Sequence, residues 1–384
     1  SGIWQGPAVL LNFVPFRSTM PLRYALVLLL VFRLLPAAAQ SRAPLRWGVN
    51  AYYGFIFRHT PKIGAITNTH PYAVEAYLNW PTTGRKAWHR LHRYPEPGAA
   101  LGAFDFHHPK LGQVLYGLSY LEKPFTLRRT SGLRLRIGGG LSWTTRPYDP
   151  ETNFQNAALG SRINYAMRGE LGWAQRLSDA WMLKTGLMIT HFSNAAFKVP
   201  NSGINVIGWN LGVSHLPHPE RLVRPDADTA QRITYKPYAL HVSGAFTIKE
   251  VGLPGGRKYP GLVVSAYGSR RLNAKSALLL GLDATLNTAE KKAIDLDTTL
   301  TGEQKPDYKR VALSLGHELY ISGRLSLLSQ AGIYLYSPYP ADAPFYLRNG
   351  LKYYFHRGLF GAITLKTHFG TADFVEWTVG FKID

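Results

Sequence analysis

The sequence predicts an all-β protein, an antiparallel transmembrane β-barrel of an outer membrane, from three observations. From Leu45 onward the chain reads as one alternating segment after another, many of them 10 to 14 residues long. Soluble strands average about five or six residues, whereas tilted strands crossing a bilayer need about 9–11. Charged residues make up only 17% of the chain and aromatic ones 13%, against about 25% charged in ordinary soluble domains. An apolar segment near the start has the layout of an export signal. In lipid every backbone N–H and C=O must be paired, so an alternating sheet there has to close on itself.

The candidate strands lie at 46–59, 71–80, 97–107, 111–122, 132–145, 161–175, 180–193, 205–216, 233–249, 257–270, 274–287, 307–320, 323–336, 345–356, 359–369 and 373–383. Alternation justifies them, because residues two apart in a strand share a face. Leu133, Leu135, Ile137, Leu141 and Trp143 oppose Arg134, Arg136 and Ser142. Ile163, Tyr165, Met167, Leu171 and Trp173 oppose Arg162, Asn164, Arg168 and Glu170. Near the end, Val375, Trp377, Val379, Phe381 and Ile383 oppose Glu376, Thr378 and Lys382. One face suits hydrocarbon, the other water or a packed polar lumen. A soluble β-sandwich also alternates, but strand length, charge content and the export signal favour the membrane. Some of the segments can be loop hairpins, so the expectation is a single barrel domain over 40–384 of roughly 12–16 strands. Its longest loops fall near 81–96, 146–160, 217–232 and 288–306.

Met20 opens a segment with Arg23 as its positive end, an apolar stretch from Ala25 to Leu35, and the small residues Ala37, Ala38 and Ala39. Residues 20–39 are therefore expected to be a signal peptide, and 1–19 an upstream extension outside the fold. The formal net charge is +21. Such an excess suits nucleic acid or a phosphate-bearing membrane surface. An exported chain is not expected to meet nucleic acid, which leaves the membrane. No Cys is present, which excludes disulfides and thiolate metal sites.

The stretch His191-Phe192-Ser193-Asn194-Ala195-Ala196-Phe197-Lys198-Val199-Pro200-Asn201-Ser202-Gly203-Ile204-Asn205 carries the chemistry. His191 and Ser193 continue the apolar parity of Leu183, Leu187 and Ile189. Asn205 opens that of Ile207, Trp209, Leu211 and Val213. A hydroxyl nucleophile needs a base within reach, and the base needs an orienting group. A hairpin over 194–204 brings Asn205 beside His191, where its amide oxygen accepts the Nδ1 proton. Asn194 and Asn201 are candidate donors to an oxyanion, and Pro200-Asn201-Ser202-Gly203 reads as a turn that fixes the geometry. The segment is the seventh strand counted from Leu45. A first strand that starts on the periplasmic side would place this loop in the outer leaflet.

These residues resemble the signature of the lipid A 3-O-deacylase (acyloxyacyl hydrolase-like) family of outer-membrane barrels. Trp88, Tyr94-Pro95, Gly98, Leu111-Gly112, Gly138 to Trp143, Asn153, Asn156, Ser161 and Asn164 follow in the family's order. The resemblance spans roughly 50–216; 217–384 rests on periodicity alone. It implies an ester hydrolase of the outer membrane of a Gram-negative bacterium, with lipopolysaccharide as substrate and no metal or organic cofactor. It implies His191 as base, Ser193 as nucleophile, and Asn194, Asn201 and Gly203 as loop or oxyanion support. The family's third member is a Glu, and Asn205 stands there instead. An amide holds the tautomer of His191 but does not offset an imidazolium charge, so slower hydrolysis or a substitute acid is expected. Glu75 and Glu170 are the candidates, although parity puts Glu170 on the lumen side. A barrel that binds without catalysing, a channel or adhesin, and a phospholipase-like barrel are the alternatives. His89-x-x-His92 and His107-His108 read as solvated loop residues rather than metal ligands.

Overall fold

A computed structural model describes residues 45–126, 131–217, 235–300, 305–339 and 343–384. The expected extension and signal peptide lie outside them. The described residues form sixteen strands: β1 (Arg46–Ile56), β2 (Tyr72–Asn79), β3 (Glu96–Asp105), β4 (Gln113–Pro124), β5 (Ser131–Thr144), β6 (Ile163–Arg176), β7 (Trp181–Ser193), β8 (Ile204–His215), β9 (Tyr238–Glu250), β10 (Lys258–Arg271), β11 (Ser276–Asn287), β12 (Lys309–Tyr320), β13 (Leu325–Tyr336), β14 (Phe345–Tyr354), β15 (Leu359–His368) and β16 (Thr371–Ile383). Every alternating segment of the sequence is a strand.

The strands close twice. β1 to β8 form one eight-stranded antiparallel barrel and β9 to β16 a second, where a single barrel was expected. β8 returns to pair with β1, Trp47 facing His215 and Ile56 facing Val206. β16 returns to β9, with Trp377 facing Phe246. Alternation specifies which way a side chain points, not which strand closes the sheet, so the second closure has no signature in the pattern. Eight strands leave an interior that side chains just fill.

Both lumens are filled by ion pairs, as the polar parities require. In the first, Glu75 meets Arg136 at 2.8 Å and also Arg168. Glu122 meets Lys184 at 2.9 Å and Arg134 at 3.0 Å. In the second, Arg348 joins Asp283 at 3.0 Å and Glu376 at 2.7 Å, and Lys352 joins Glu318 at 3.3 Å. The outer faces carry exposed apolar side chains such as Leu141, Leu187, Leu211, Leu280 and Val379. At one end of the first barrel the lumen is closed by Phe192 together with Phe104, Phe106 and Tyr116, whose ring centroids lie 5.6–6.4 Å from that of Phe192. Ile63, Ile66, Leu111 and Leu159 from the loops complete that apolar cap.

The connections 57–71, 106–112, 145–162 and 194–203 gather at this capped end, whereas 177–180 joins strands at the other end. Two stretches expected as loops contain helices: α1 (Ala87–Leu91) and α2 (Thr288–Leu296). α2 starts where the Asn287 side chain accepts the Ala289 N–H at 3.0 Å, with Glu290 in the first turn, the usual N-terminal chemistry of a helix. The barrels touch at both ends. Glu250 of β9 accepts the Val199 N–H at 3.0 Å and donates its own N–H to the Ala196 carbonyl at 3.3 Å. At the opposite end His92 donates from Nε2 to the Tyr320 carbonyl at 2.8 Å.

Candidate active site

β7 and β8 are neighbours in the sheet, and His191 and Asn205 are paired directly across the ladder. In β7 the lumen parity holds Met182, Lys184, Met188, Thr190 and Phe192, while Leu183, Leu187 and Ile189 face outward. His191 and Ser193 continue that outward parity at the rim. The Ser193 hydroxyl lies 2.9 Å from His191 Nε2, and His191 Nδ1 lies 2.7 Å from Asn205 Oδ1. With the proton on Nδ1 the ring donates to the amide oxygen and offers Nε2 to the serine hydroxyl. That is the tautomer a general base needs. Ser193 is only 8% exposed, although it continues the outward parity of β7.

The loop is held by its own polar residues. The Asn194 N–H donates to Asn201 Oδ1 at 2.9 Å. The Asn194 amide donates to the Lys198 carbonyl at 2.8 Å and to Ser161 Oγ at 3.1 Å, and accepts the Lys198 N–H at 3.2 Å. Asn194 therefore sits in the loop framework, and Asn201 keeps its Nδ2 as a donor. Ala195 and Ala196 have φ of +52° and +64°, a conformation that costs L-residues energy and clusters at functional loops. Gly203 has φ +74°, and a Cβ there would stand 2.8 Å from His191 Cε1. Only Gly lets the backbone lie flat against the His191 ring.

A second layer stitches the loop to its neighbours. Ser202 and Gly203 donate their N–H groups to the Ala157 and Ala158 carbonyls at 3.1 and 3.0 Å. Asn156 accepts the N–H groups of Ala158 and Leu159 at 3.2 Å and donates to the Arg146 carbonyl at 2.7 Å. Asn153 donates to the carbonyls of Pro147 and Lys110 at 2.9 and 3.0 Å. Asn153, Asn156, Ser161 and Asn164, singled out in the sequence for their order, are this stitching.

Neither candidate acid stands near His191. Glu75 is in the lumen with Arg136, Arg168, Tyr52 and Tyr116. Glu170 is there too, accepting from Asn210 at 2.7 Å. Odd positions of β2 and even positions of β6 face inward, so both carboxylates fall in the lumen. The group behind Asn205 is instead His59, whose Nδ1 lies 3.1 Å from Asn205 Nδ2. Sequence reasoning missed it. The signal was parity, since Tyr53, Phe55 and Phe57 are exposed on the outer face and His59 follows them by two. His89, expected in solvent, is buried and accepts the Gly84 N–H on Nδ1 at 3.3 Å. Loss of solvent in this loop, with Lys86 and Arg90 close by, holds its pKa down at about 4. Among the described residues no group of His, Cys, Asp and Glu is arranged to hold a metal ion.

The fold defines a class: an outer-membrane protein of closed antiparallel β-barrels, with Ser193, His191 and Asn205 in hydrogen-bond contact at the rim of the first. Residues 72–214 match the family described as lipid A 3-O-deacylase (PagL). Residues 237–384 match the one described as acyloxyacyl hydrolase, C-terminal domain. The chain belongs to the lipid A 3-O-deacylase family, outer-membrane hydrolases whose substrate is lipid A. The second barrel, which carried no motif in the sequence, is the family's C-terminal domain. No curated protein matches the chain. Among solved structures it is similar to the outer membrane enzyme PagL, at 17% identity over 43% of this chain and 97% of that one, TM-score 0.33. It is also similar to a BenF-like porin from Pseudomonas fluorescens Pf-5, at 9% identity over 89% of this chain and 99% of that one, TM-score 0.22.

Proposed function

We propose that the protein hydrolyses an ester-linked acyl chain of lipid A, with Ser193 as nucleophile, His191 as general base and Asn205 orienting the imidazole. Ser193 Oγ attacks the ester carbonyl while its proton passes to His191 Nε2. The tetrahedral oxyanion meets the loop, where the Asn201 amide is the side-chain donor left available. Collapse breaks the ester C–O bond, the departing sugar oxygen takes the proton from His191 to become a hydroxyl, and an acyl group is left on Ser193. Water, deprotonated by the same nitrogen, then releases the fatty acid. Exposed Leu187, Ile189 and Trp209 on the same outer face offer an apolar track for the acyl chain. Outer-membrane barrels carry their longer loops outside the cell. Three of the four connections at the site's end, 57–71, 145–162 and 194–203, are ten residues or longer, while at the other end 80–95 is long and 125–130 and 177–180 are short, which supports a site in the outer leaflet.

The observation that carries the reading is the pair of contacts at 2.9 and 2.7 Å joining Ser193, His191 and Asn205. Purified protein is incubated with lipopolysaccharide and, separately, with glycerophospholipid, and released fatty acid is measured by mass spectrometry. The parent is expected to release hydroxy fatty acid from lipopolysaccharide, and Ser193→Ala at least 1,000-fold less, in line with about 10⁴ or more for loss of such a nucleophile. Equal release by Ser193→Ala refutes the assignment. Release from glycerophospholipid alone refutes the substrate.

A further inference from the structure

We infer that His59 is a positioning residue of this reaction: it fixes which way the Asn205 amide faces, and so which nitrogen of His191 is free to act as base. The inference rests on the Ser193–His191 reading above. An Asn side chain is nearly symmetric, and its oxygen and nitrogen can exchange places by a half-turn. In one orientation Oδ1 faces His191, the proton stays on Nδ1, and Nε2 is a base. In the other, the amide NH₂ faces Nδ1, the proton is driven to Nε2, and the base is lost. A carboxylate in this position would have no such ambiguity, because both of its oxygens accept. Asn in place of the family's Glu therefore creates a requirement for something behind it.

His59 meets that requirement. Its Nε2 lies 2.9 Å from the Ser202 carbonyl, which only accepts, so Nε2 carries the proton. In the neutral ring Nδ1 is then an acceptor, and Asn205 Nδ2 donates to it at 3.1 Å. The other tautomer would satisfy only the Phe57 carbonyl, at 3.3 Å from Nδ1. It would set two acceptors against each other at Ser202 and two donors at Asn205, so the two shorter contacts select the first. The donors then run one way: His59 to the Ser202 carbonyl, Asn205 to His59, His191 to Asn205, Ser193 to His191. The polarity of the chain is set by a backbone carbonyl. That carbonyl's own neighbours are pinned, since Ser202 and Gly203 are bonded to Ala157 and Ala158. The backbone also brings His59 into range, because the Phe57 N–H donates to the Asn205 carbonyl at 2.8 Å and so extends the β1–β8 ladder.

The test is a double-mutant cycle on the full-length protein in detergent, reading kcat and KM for acyl release from lipopolysaccharide. His59→Leu is expected to lower kcat about tenfold or more, the scale of one lost hydrogen bond, with KM changed less than twofold. His59→Asn, whose amide oxygen can stand where Nδ1 stood, restores most of that loss. In the Asn205→Glu background, where the third group cannot face the wrong way, His59→Leu costs less than threefold. Equal losses in both backgrounds mean that His59 only supports the loop through Ser202, and the inference is overturned. No loss in either background overturns it too. His59→Ala gives the same comparison without added bulk should the Leu variant not fold, as read by its migration on unheated gels. Ser193→Ala is run alongside: its activity would refute the catalytic reading itself, whereas an inactive Ser193→Ala with a fully active His59→Leu refutes this inference alone.

Discussion

Replacing Gly203 by Ala tests whether the imidazole is held by contact with the loop backbone. A Cβ at this position would stand 2.8 Å from His191 Cε1 and 3.4 Å from Nε2. Carbon atoms in favourable contact are about 3.5–4.0 Å apart, so ring or loop must give way by about 0.7 Å or more. The Ser193–His191 contact is 2.9 Å, and a shift of that size away from the serine carries it past hydrogen-bond range. A misplacement of about 1 Å commonly costs about 100-fold in rate, or about 2.7 kcal/mol in the barrier. The positive φ of Gly203 adds a separate cost of about 1–2 kcal/mol to stability. Gly370→Ala isolates that cost, since Gly370 has φ +82° with nothing within 4 Å of the added carbon and lies in the second barrel's β15–β16 turn. Both variants are purified, checked for heat-modifiable migration, and assayed for acyl release at saturating lipopolysaccharide. Gly203→Ala is expected to lose about 10- to 100-fold in kcat and Gly370→Ala less than twofold. A Gly203→Ala enzyme with the parent kcat would show that the ring is not held against this backbone.

Two further outcomes follow from packing. Glu75→Gln removes the charge that Arg136 and Arg168 share inside the first barrel. Arg168 then keeps its bond to the neutral Thr190 hydroxyl, at 2.9 Å. Loss of one member of a buried ion pair costs about 3–5 kcal/mol, so the thermal midpoint of heat-modifiable migration falls by several degrees; an unchanged midpoint contradicts the packing described. Glu250→Ala takes from the Val199 N–H its acceptor at 3.0 Å, a bond to a charged group of about 1.5–3 kcal/mol. Limited proteolysis within 194–203 should quicken and kcat fall severalfold, and a variant matching the parent in both would separate the second barrel from the site.

What the sequence disclosed and what it did not divide along physical lines. The sixteen strands were readable because a barrel in lipid has only two environments, and residues two apart report which one they occupy. That same rule placed His191, Ser193 and Asn205 on one outer face and set Glu170 inward. It says nothing about closure, because Trp47 facing His215 leaves no mark on either segment. Helix α2 hides for a different reason: its signal is the single cap at Asn287, set between long alternating runs. The roles inside the 194–203 loop depend on φ values and on contacts with residues 157–161, neither of which has a periodicity to read.

His59 shows how far the parity rule reaches when carried past the end of a strand. Phe57-Arg58-His59-Thr60-Pro61 contains no motif, and a lone His after a strand has no claim to chemistry. What gives it one is the amide it meets. With Glu at position 205, an imidazole at His59 would be one more rim side chain. With Asn there, the ring and the Ser202 carbonyl supply the directionality that a carboxylate needs no help to provide. The departure at Asn205 and the presence of His59 are thus two halves of one arrangement, and neither half is interpretable from its own segment. The missing piece is the 3.1 Å contact between β1's continuation and the start of β8, which exists only because the first barrel closes after eight strands.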